Sequence, residues 1–287
     1  MSSREVLRKL VNERRGVLVA GAFNALAARV VANHGFEAIF IAGSGIANMH
    51  MGVPDLGFVG LAETAEYTAR IRDNVDLPLL VDGGNGFGNP VNTYRTVQIL
   101  ERAGADAVQI EDLVYPKRCG HFGEKEVVSI KEMEANIRAA VDARRDSNLM
   151  IIGRTDAAAM HGFEAAMERA QRIGEAGADI LFVETVEKEA ELRQIAKYVK
   201  KPLMINIVIG GKKPALDAKA FGDMGFNLVL YANAALQGAV SGMNKVLARL
   251  KQNGRMEEDP SIVATYNERL RLVDKEFFDN LERKYQA

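Results

Sequence analysis

The only cysteine among the 287 residues, Cys119, lies in the run YPKRCGH (115–121), with the cations Lys117 and Arg118 before it and His121 after it. Positive neighbours favour the thiolate and lower a cysteine's pKa. A thiol held this way can act as nucleophile or as general acid and base. A packing cysteine would need no basic neighbours, and Pro116 and Gly120 mark the run as loop. A second group of reactive side chains follows a simple rule of position. Asp82, Glu111, Arg154, Glu184 and Asn206 each stand at the end of an apolar run. If those runs are parallel strands, four charged groups and one amide converge on one rim. Charges gathered there are costly unless they pair, bind a metal or meet a substrate. The plainer alternative is an internal ion-pair ring in which Arg154 meets Glu184 or Glu111. Asp82 and Glu111 offer hard oxygen donors, which suit Mg²⁺ with its remaining positions filled by water.

Two glycine-bearing segments would frame such a rim. GGNGFG (83–88) follows Asp82 directly, but no GKS or GKT follows it, so it is not a phosphate loop of the P-loop type. GSGIANMHMGVPDLG (43–57) reads as a loop after the second run. Its glycines would bring backbone N–H groups near a carboxylate or developing oxyanion, the alternative being a flexible loop. His34, His50 and His161 show no metal-ligand spacing and read as structural or surface residues.

The elements that must position these residues are visible as eight apolar runs. They are VLVAG (17–21), AIFIAG (38–43), LPLLVD (77–82), AVQIED (107–112), LMIIGR (149–154), DILFVE (179–184), LMIN (203–206) and LVLYAN (228–233). Runs without alternation suit strands covered on both faces, as in a parallel sheet. Between them, stretches such as VNTYRTVQILERAGA and FEAAMERAQRIGEAGA carry apolar residues at three- and four-residue intervals, the mark of amphipathic helices. Eight strand–helix units without a Pro/Gly/Ser linker predict one α/β domain over 1–287, a (β/α)₈ TIM barrel, with chemistry at the C-terminal ends of its strands. A doubly wound open sheet seldom supplies eight evenly spaced parallel strands. Residues 260–287 add a C-terminal helix beyond the eighth unit. Ile262, Tyr266, Leu270, Val273, Phe277 and Leu281 form a stripe along it that needs a surface to cover.

Composition narrows the functions. With 37 Lys+Arg against 38 Asp+Glu the net charge is −1, so nothing points to nucleic acid or an anionic membrane. No apolar stretch approaches the roughly 18 residues of a membrane span, and the charged start MSSREVLRKLVNERRG lacks a signal-peptide pattern. A single cysteine excludes an internal disulfide and fits a reducing, cytoplasmic setting.

Taken together, GAFNALAARV, GSGIANMHMGVPDLG, VDGGNGFG, IEDLVYPKRCGHF and IIGRTDA resemble the isocitrate lyase and phosphoenolpyruvate mutase superfamily over nearly the whole chain. The resemblance is greatest to short lyases acting on 2-methylisocitrate or 2,3-dimethylmalate, with KRCGH the most specific signature. It implies a carbon–carbon lyase in which Asp82 ligates Mg²⁺ (or Mn²⁺), with Glu111 and Asp55 acting largely through its waters. Arg154 would hold the 2-oxo acid half of the substrate, beside Ala42 and the backbone N–H groups of Gly43 and Ser44. Cys119 would protonate the carbanion, tuned by Lys117, Arg118 and His121, while Glu184 and Asn206 orient the departing carboxylate. The resemblance also implies a C-terminal helix exchanged between subunits and a homotetramer built as a dimer of dimers. A phosphonomutase-type reaction, which needs no thiol, and a non-catalytic acid-binding barrel are the rival expectations. The sequence departs from the family pattern at three places. Gly84 stands where a second aspartate follows Asp82, Phe40 where tricarboxylate lyases carry a tyrosine, and apolar Val208 and Ile209 where those lyases place hydroxyls. The last departure favours a smaller, methyl-bearing dicarboxylate.

Overall fold

The computed structural model of the chain describes residues 1–13, 16–114, 126–214 and 216–286. Eight strands form in the order expected: β1 Val17–Ala22, β2 Ala38–Ile41, β3 Leu79–Asp82, β4 Ala107–Glu111, β5 Met150–Thr155, β6 Ile180–Val183, β7 Leu203–Asn206 and β8 Leu228–Tyr231. Each pairs in parallel with its sequence neighbours, and β8 returns to β1 through Val17 opposite Leu228, so the barrel closes. Helices α1 Ser3–Asn12, α2 Ala25–Asn33, α3 Gly43–Ile46, α4 Leu61–Arg72, α5 Pro90–Arg102 and α6 Ile130–Asp142 belong to the first half. Helices α7 Ala158–Glu175, α8 Glu189–Tyr198, α9 Ala218–Met224, α10 Ala234–Asn253, α11 Tyr266–Leu272 and α12 Lys275–Gln286 complete the chain.

Strand side chains divide by parity into two apolar layers. Ile39, Ile41, Leu79, Val81, Val108, Ile110 and Ile151 face the helices. Phe40, Leu80, Ala107, Ile152, Phe182, Met204 and Leu228 fill the barrel's interior together with Leu7, Leu10 and Val11 of α1. Helix α1 therefore plugs the N-terminal end of the barrel, and a capping box between Ser2 and Glu5 fixes where it starts. Counting two residues onward from the interior positions reaches Asp82, Gln109, Arg154, Glu184 and Asn206. The same pleat that buries the lumen thus aims a polar ring at the opposite, C-terminal mouth. Gly153 keeps β5 close to α7, since a Cβ there would meet the Ile173 side chain at 2.2 Å.

Two expectations about local structure change. The segment 43–57 does not begin as a loop: Gly43–Ile46 form an α-turn that runs into a π-helical turn over Ala47–Met51. The tail is two helices rather than one, broken at Asp274, whose φ is 53°. Polar contacts seat α11 on α2, with Arg271 donating to Asn33 at 2.9 Å. The predicted stripe is left largely in solvent, with Tyr266 and Phe277 each 60% exposed. Among the described residues no helix is long and apolar enough to cross a membrane.

Candidate active site at the barrel mouth

A cavity of ≈ 80 Å³ opens at the C-terminal ends of the strands, lined by the polar Asp82, Gln109, Arg154, Glu184 and Asn206 and by the apolar Phe40, Val208 and Leu230. Asp55 and Asp82 also border a ≈ 30 Å³ space beside Gly43 and Gly84. Glu184, Thr185 and Val208 border a wider hollow of ≈ 620 Å³. Sharing of these lining residues makes the three spaces one branched mouth. Its first branch alone exceeds the roughly 10–15 Å³ that one water requires.

Arg154 is the electrostatic centre. Its Nε and Nη2 donate to Asp156 at 2.7 and 3.0 Å, and its Nη1 lies 3.6 Å from the fully buried Glu111. The guanidinium also sits 5.2 Å from the centre of the Phe182 ring. Burial by itself would lower the pKa of Arg154, but Asp156, Glu111 and Glu184 together hold it well above the usual arginine value. The ion-pair expectation is thus met at Glu111, with Asp156 as the closer partner. Asp82 accepts at Oδ1 from the Gly84 N–H at 3.0 Å and from Gln109 Nε2 at 3.2 Å. Glu184 accepts from Lys213 Nζ at 3.1 Å, and the same ammonium donates to the Asn206 carbonyl at 2.9 Å.

Behind Arg154, buried Asp112 points outward from the end of β4 and clamps the next strand. It accepts from Thr155 Oγ1 at 2.6 Å, the Asp156 N–H at 2.9 Å and Arg169 at 3.2 Å. Burial pushes the Asp112 carboxyl up, against the hydrogen bonds from Thr155 and Asp156 and the charge of Arg169. With its folded pKa above the unfolded value of about 3.9, this group's contribution is complete below that pH and is lost as pH rises through the folded pKa. Asp112→Asn is therefore expected to cost most near pH 4 and less at pH 7. Melting temperatures of variant and wild type across that range test it; a gap widening with pH contradicts it.

Of the residues predicted from sequence, Ala42, Ser44, Asp55, Asp82, Arg154, Glu184 and Asn206 line one cavity. Gly43 lines the adjoining branch, and Glu111 lies against Arg154. Val208 also faces the cavity, whereas Ile209 is 52% exposed and does not. Lys117, Arg118, Cys119 and His121 lie outside the described residues. Gln109, Asp156 and Lys213 belong to the site and were not anticipated. Gln109 and Asp156 share the inward parity of Glu111 and Arg154, a signal that could have found them. Nothing in the run IVIGGKKP distinguishes Lys213 from Lys212.

Among the described residues no group of three or more His, Cys, Asp or Glu side chains could enclose a metal by itself. Mg²⁺ asks for less, since one or two carboxylates and several waters suffice. Asp82 can serve as such a carboxylate. Gln109 Oε1 and Glu184 Oε2, both buried without a hydrogen-bond partner, are acceptors for the waters of such an ion. The donor set fits a hydrated hard cation.

The phosphoenolpyruvate phosphomutase family matches residues 7–251. The chain belongs to that family. It is 40% identical over 253 residues to the 2-methylisocitrate lyase of Aeropyrum pernix, covering 88% of this chain and 81% of the relative. It is 34% identical over 285 residues to the 2,3-dimethylmalate lyase of Eubacterium barkeri, covering 99% of both. These family members are lyases by name, and on that ground the chain is a carbon–carbon lyase. A crystal structure of phosphonopyruvate hydrolase with oxalate and Mg²⁺ superposes with a TM-score of 0.89 at 29% identity, covering 100% of both chains. The barrel described above is thus shared with a solved relative, and the family resemblance seen in the sequence is upheld.

Proposed function

We propose that the protein cleaves a 2-hydroxy di- or tricarboxylate to a 2-oxo acid and a carboxylate, with 2,3-dimethylmalate giving pyruvate and propionate as the favoured case and 2-methylisocitrate giving pyruvate and succinate as the other. The observation that carries this reading is a guanidinium fixed by Asp156 and Glu111 in one cavity with Asp82, a cavity lined also by the apolar Phe40, Val208 and Leu230. Arg154 orients a carboxylate through its unshared N–H groups. Phe40, Val208 and Leu230 offer no hydrogen bond to an additional carboxylate arm, and burying a charge unpaired is costly. Asp82 would hold Mg²⁺, with Glu111 and Asp55 acting through its waters, and the ion would supply Lewis-acid polarisation of the bound acid's oxygens. A solved relative carries Mg²⁺ with oxalate, which supports the same cofactor here.

In the reaction the substrate hydroxyl loses its proton, the bond to the neighbouring carbon breaks, and the electron pair passes to the departing carboxylate fragment. Cys119 delivers a proton to that carbon, with Lys117, Arg118 and His121 favouring thiolate as its conjugate state. The hydroxyl proton restores the thiol, so the cycle closes without an oxidant. Glu184, held by Lys213, and Asn206 orient the fragment. A homotetramer with exchanged C-terminal helices is supported by the exposed Met243 and Leu247 of α10, at 47% and 59%. Lactate-dehydrogenase-coupled assays with 2,3-dimethylmalate, 2-methylisocitrate, isocitrate, oxaloacetate and phosphonopyruvate test the function. Pyruvate is expected from 2,3-dimethylmalate first. Turnover of phosphonopyruvate alone, or of none, overturns the reading.

A further inference from the structure

Gln109 sits on β4 between Ala107 and Glu111, fully buried, with its side chain lining the same cavity as Asp82 and Arg154. Its amide has one orientation that makes sense, because Nε2 donates to Asp82 Oδ1 at 3.2 Å and the carbonyl in that place would face a carboxylate. Oε1 is thereby left buried with no hydrogen-bond partner. An orphaned buried carbonyl is expensive, and proteins keep such groups where a ligand satisfies them. The side chain borders open space, since Gln109 lines the ≈ 80 Å³ cavity together with Asp82 and Arg154.

We propose that Gln109 is part of the metal-binding set of this chain, bracing Asp82 with Nε2 and accepting with Oε1 from a water of the bound ion. The assignment rests on the magnesium part of the reading above but not on the substrate.

The test is a titration of the full-length apoprotein with Mn²⁺, following free Mn²⁺ by electron paramagnetic resonance with no substrate present. Gln109→Met removes both hydrogen-bonding ends at similar length, and Gln109→Asn keeps the amide but withdraws it. The unfolding temperature of each metal-free protein is measured alongside. Outer-shell partners of a metal typically change affinity by about 10–100-fold, so at least tenfold weaker Mn²⁺ binding is expected in every variant that folds. A structural role alone would lower the unfolding temperature and leave Mn²⁺ affinity unmoved. Variant affinities within threefold of wild type overturn the assignment while leaving the magnesium site standing. A wild-type protein that binds no Mn²⁺ removes the site itself, and the assignment falls with it.

Discussion

Arg154→Lys is expected to lower kcat/KM by about 10²–10³-fold, the range found on removing a charge-stabilising donor from an active site, with folding largely preserved. The lysine keeps the positive charge among Glu111, Asp156 and Glu184, so no buried carboxylate is stranded. What it loses is the fork. In the wild type two guanidinium nitrogens are spent on Asp156, at 2.7 and 3.0 Å, and the third faces Glu111 at 3.6 Å. That arrangement fixes the plane of the guanidinium, and the Phe182 ring at 5.2 Å supports its face. An ammonium is a point charge on a flexible stem and reproduces neither the plane nor the two-point grip. A substrate carboxylate would then be bound without being aligned. Arg154→Met goes further, leaving buried acids without a counter-charge, and is expected to lower the melting temperature as well. Pyruvate release from whichever acid the wild type cleaves best gives the measurement. A lysine variant within fivefold of wild-type kcat/KM would remove Arg154 from its proposed role.

Arg154 was legible in the sequence, and the reason is general to this fold. Each strand of a closed barrel is covered by helices outside and by lumen side chains inside, so both parities are apolar and the runs stand out. The run DILFVE contains β6 at Ile180–Val183, and Glu184, where the apolar character ends, is already at the mouth. Gln109 escaped because it lies within its run and is uncharged, although it is two residues from Glu111 and so on the same face. Lys213 escaped for a different reason. It reaches Glu184 from a loop whose path no periodicity encodes. The turn at 43–51 reads as loop in the sequence because glycine is a poor helix former, yet tertiary placement at the end of β2 winds it into helix. In the tail, the stripe from Ile262 to Leu281 keeps helical spacing across the break. Asp274 takes the left-handed conformation there without the glycine or proline that would have announced a stop.

At the other end of the barrel, Asp106→Ala should damage stability and leave chemistry alone. Asp106 is 2% exposed and ties four segments together. Its carboxylate accepts from the Leu79 N–H at 2.8 Å, Arg72 Nη1 at 2.9 Å and Ser3 Oγ at 2.6 Å, with Arg4 Nε at 3.9 Å. Arg72 in turn donates to the carbonyls of Val75 and Leu77, both at 2.6 Å, which fixes the approach to β3. Removing the carboxylate takes the counter-charge from Arg72 Nη1, leaves the Leu79 N–H without its acceptor and loosens the α1 plug. Breaking a buried pair from one side costs about 3–5 kcal/mol, which in a chain of this size is a fall in melting temperature of roughly 5–8 °C. Asp106→Asn retains an acceptor for Leu79 and should fall by less. Both variants should keep wild-type kcat at temperatures where they are folded, because residues at the N-terminal face of such barrels serve stability while those at the C-terminal face serve reaction. Differential scanning calorimetry read beside pyruvate release separates the two effects. An alanine variant melting within 2 °C of wild type, as judged against that ~5–8 °C expectation, would mean that α1 and the Arg72 network close the barrel without Asp106.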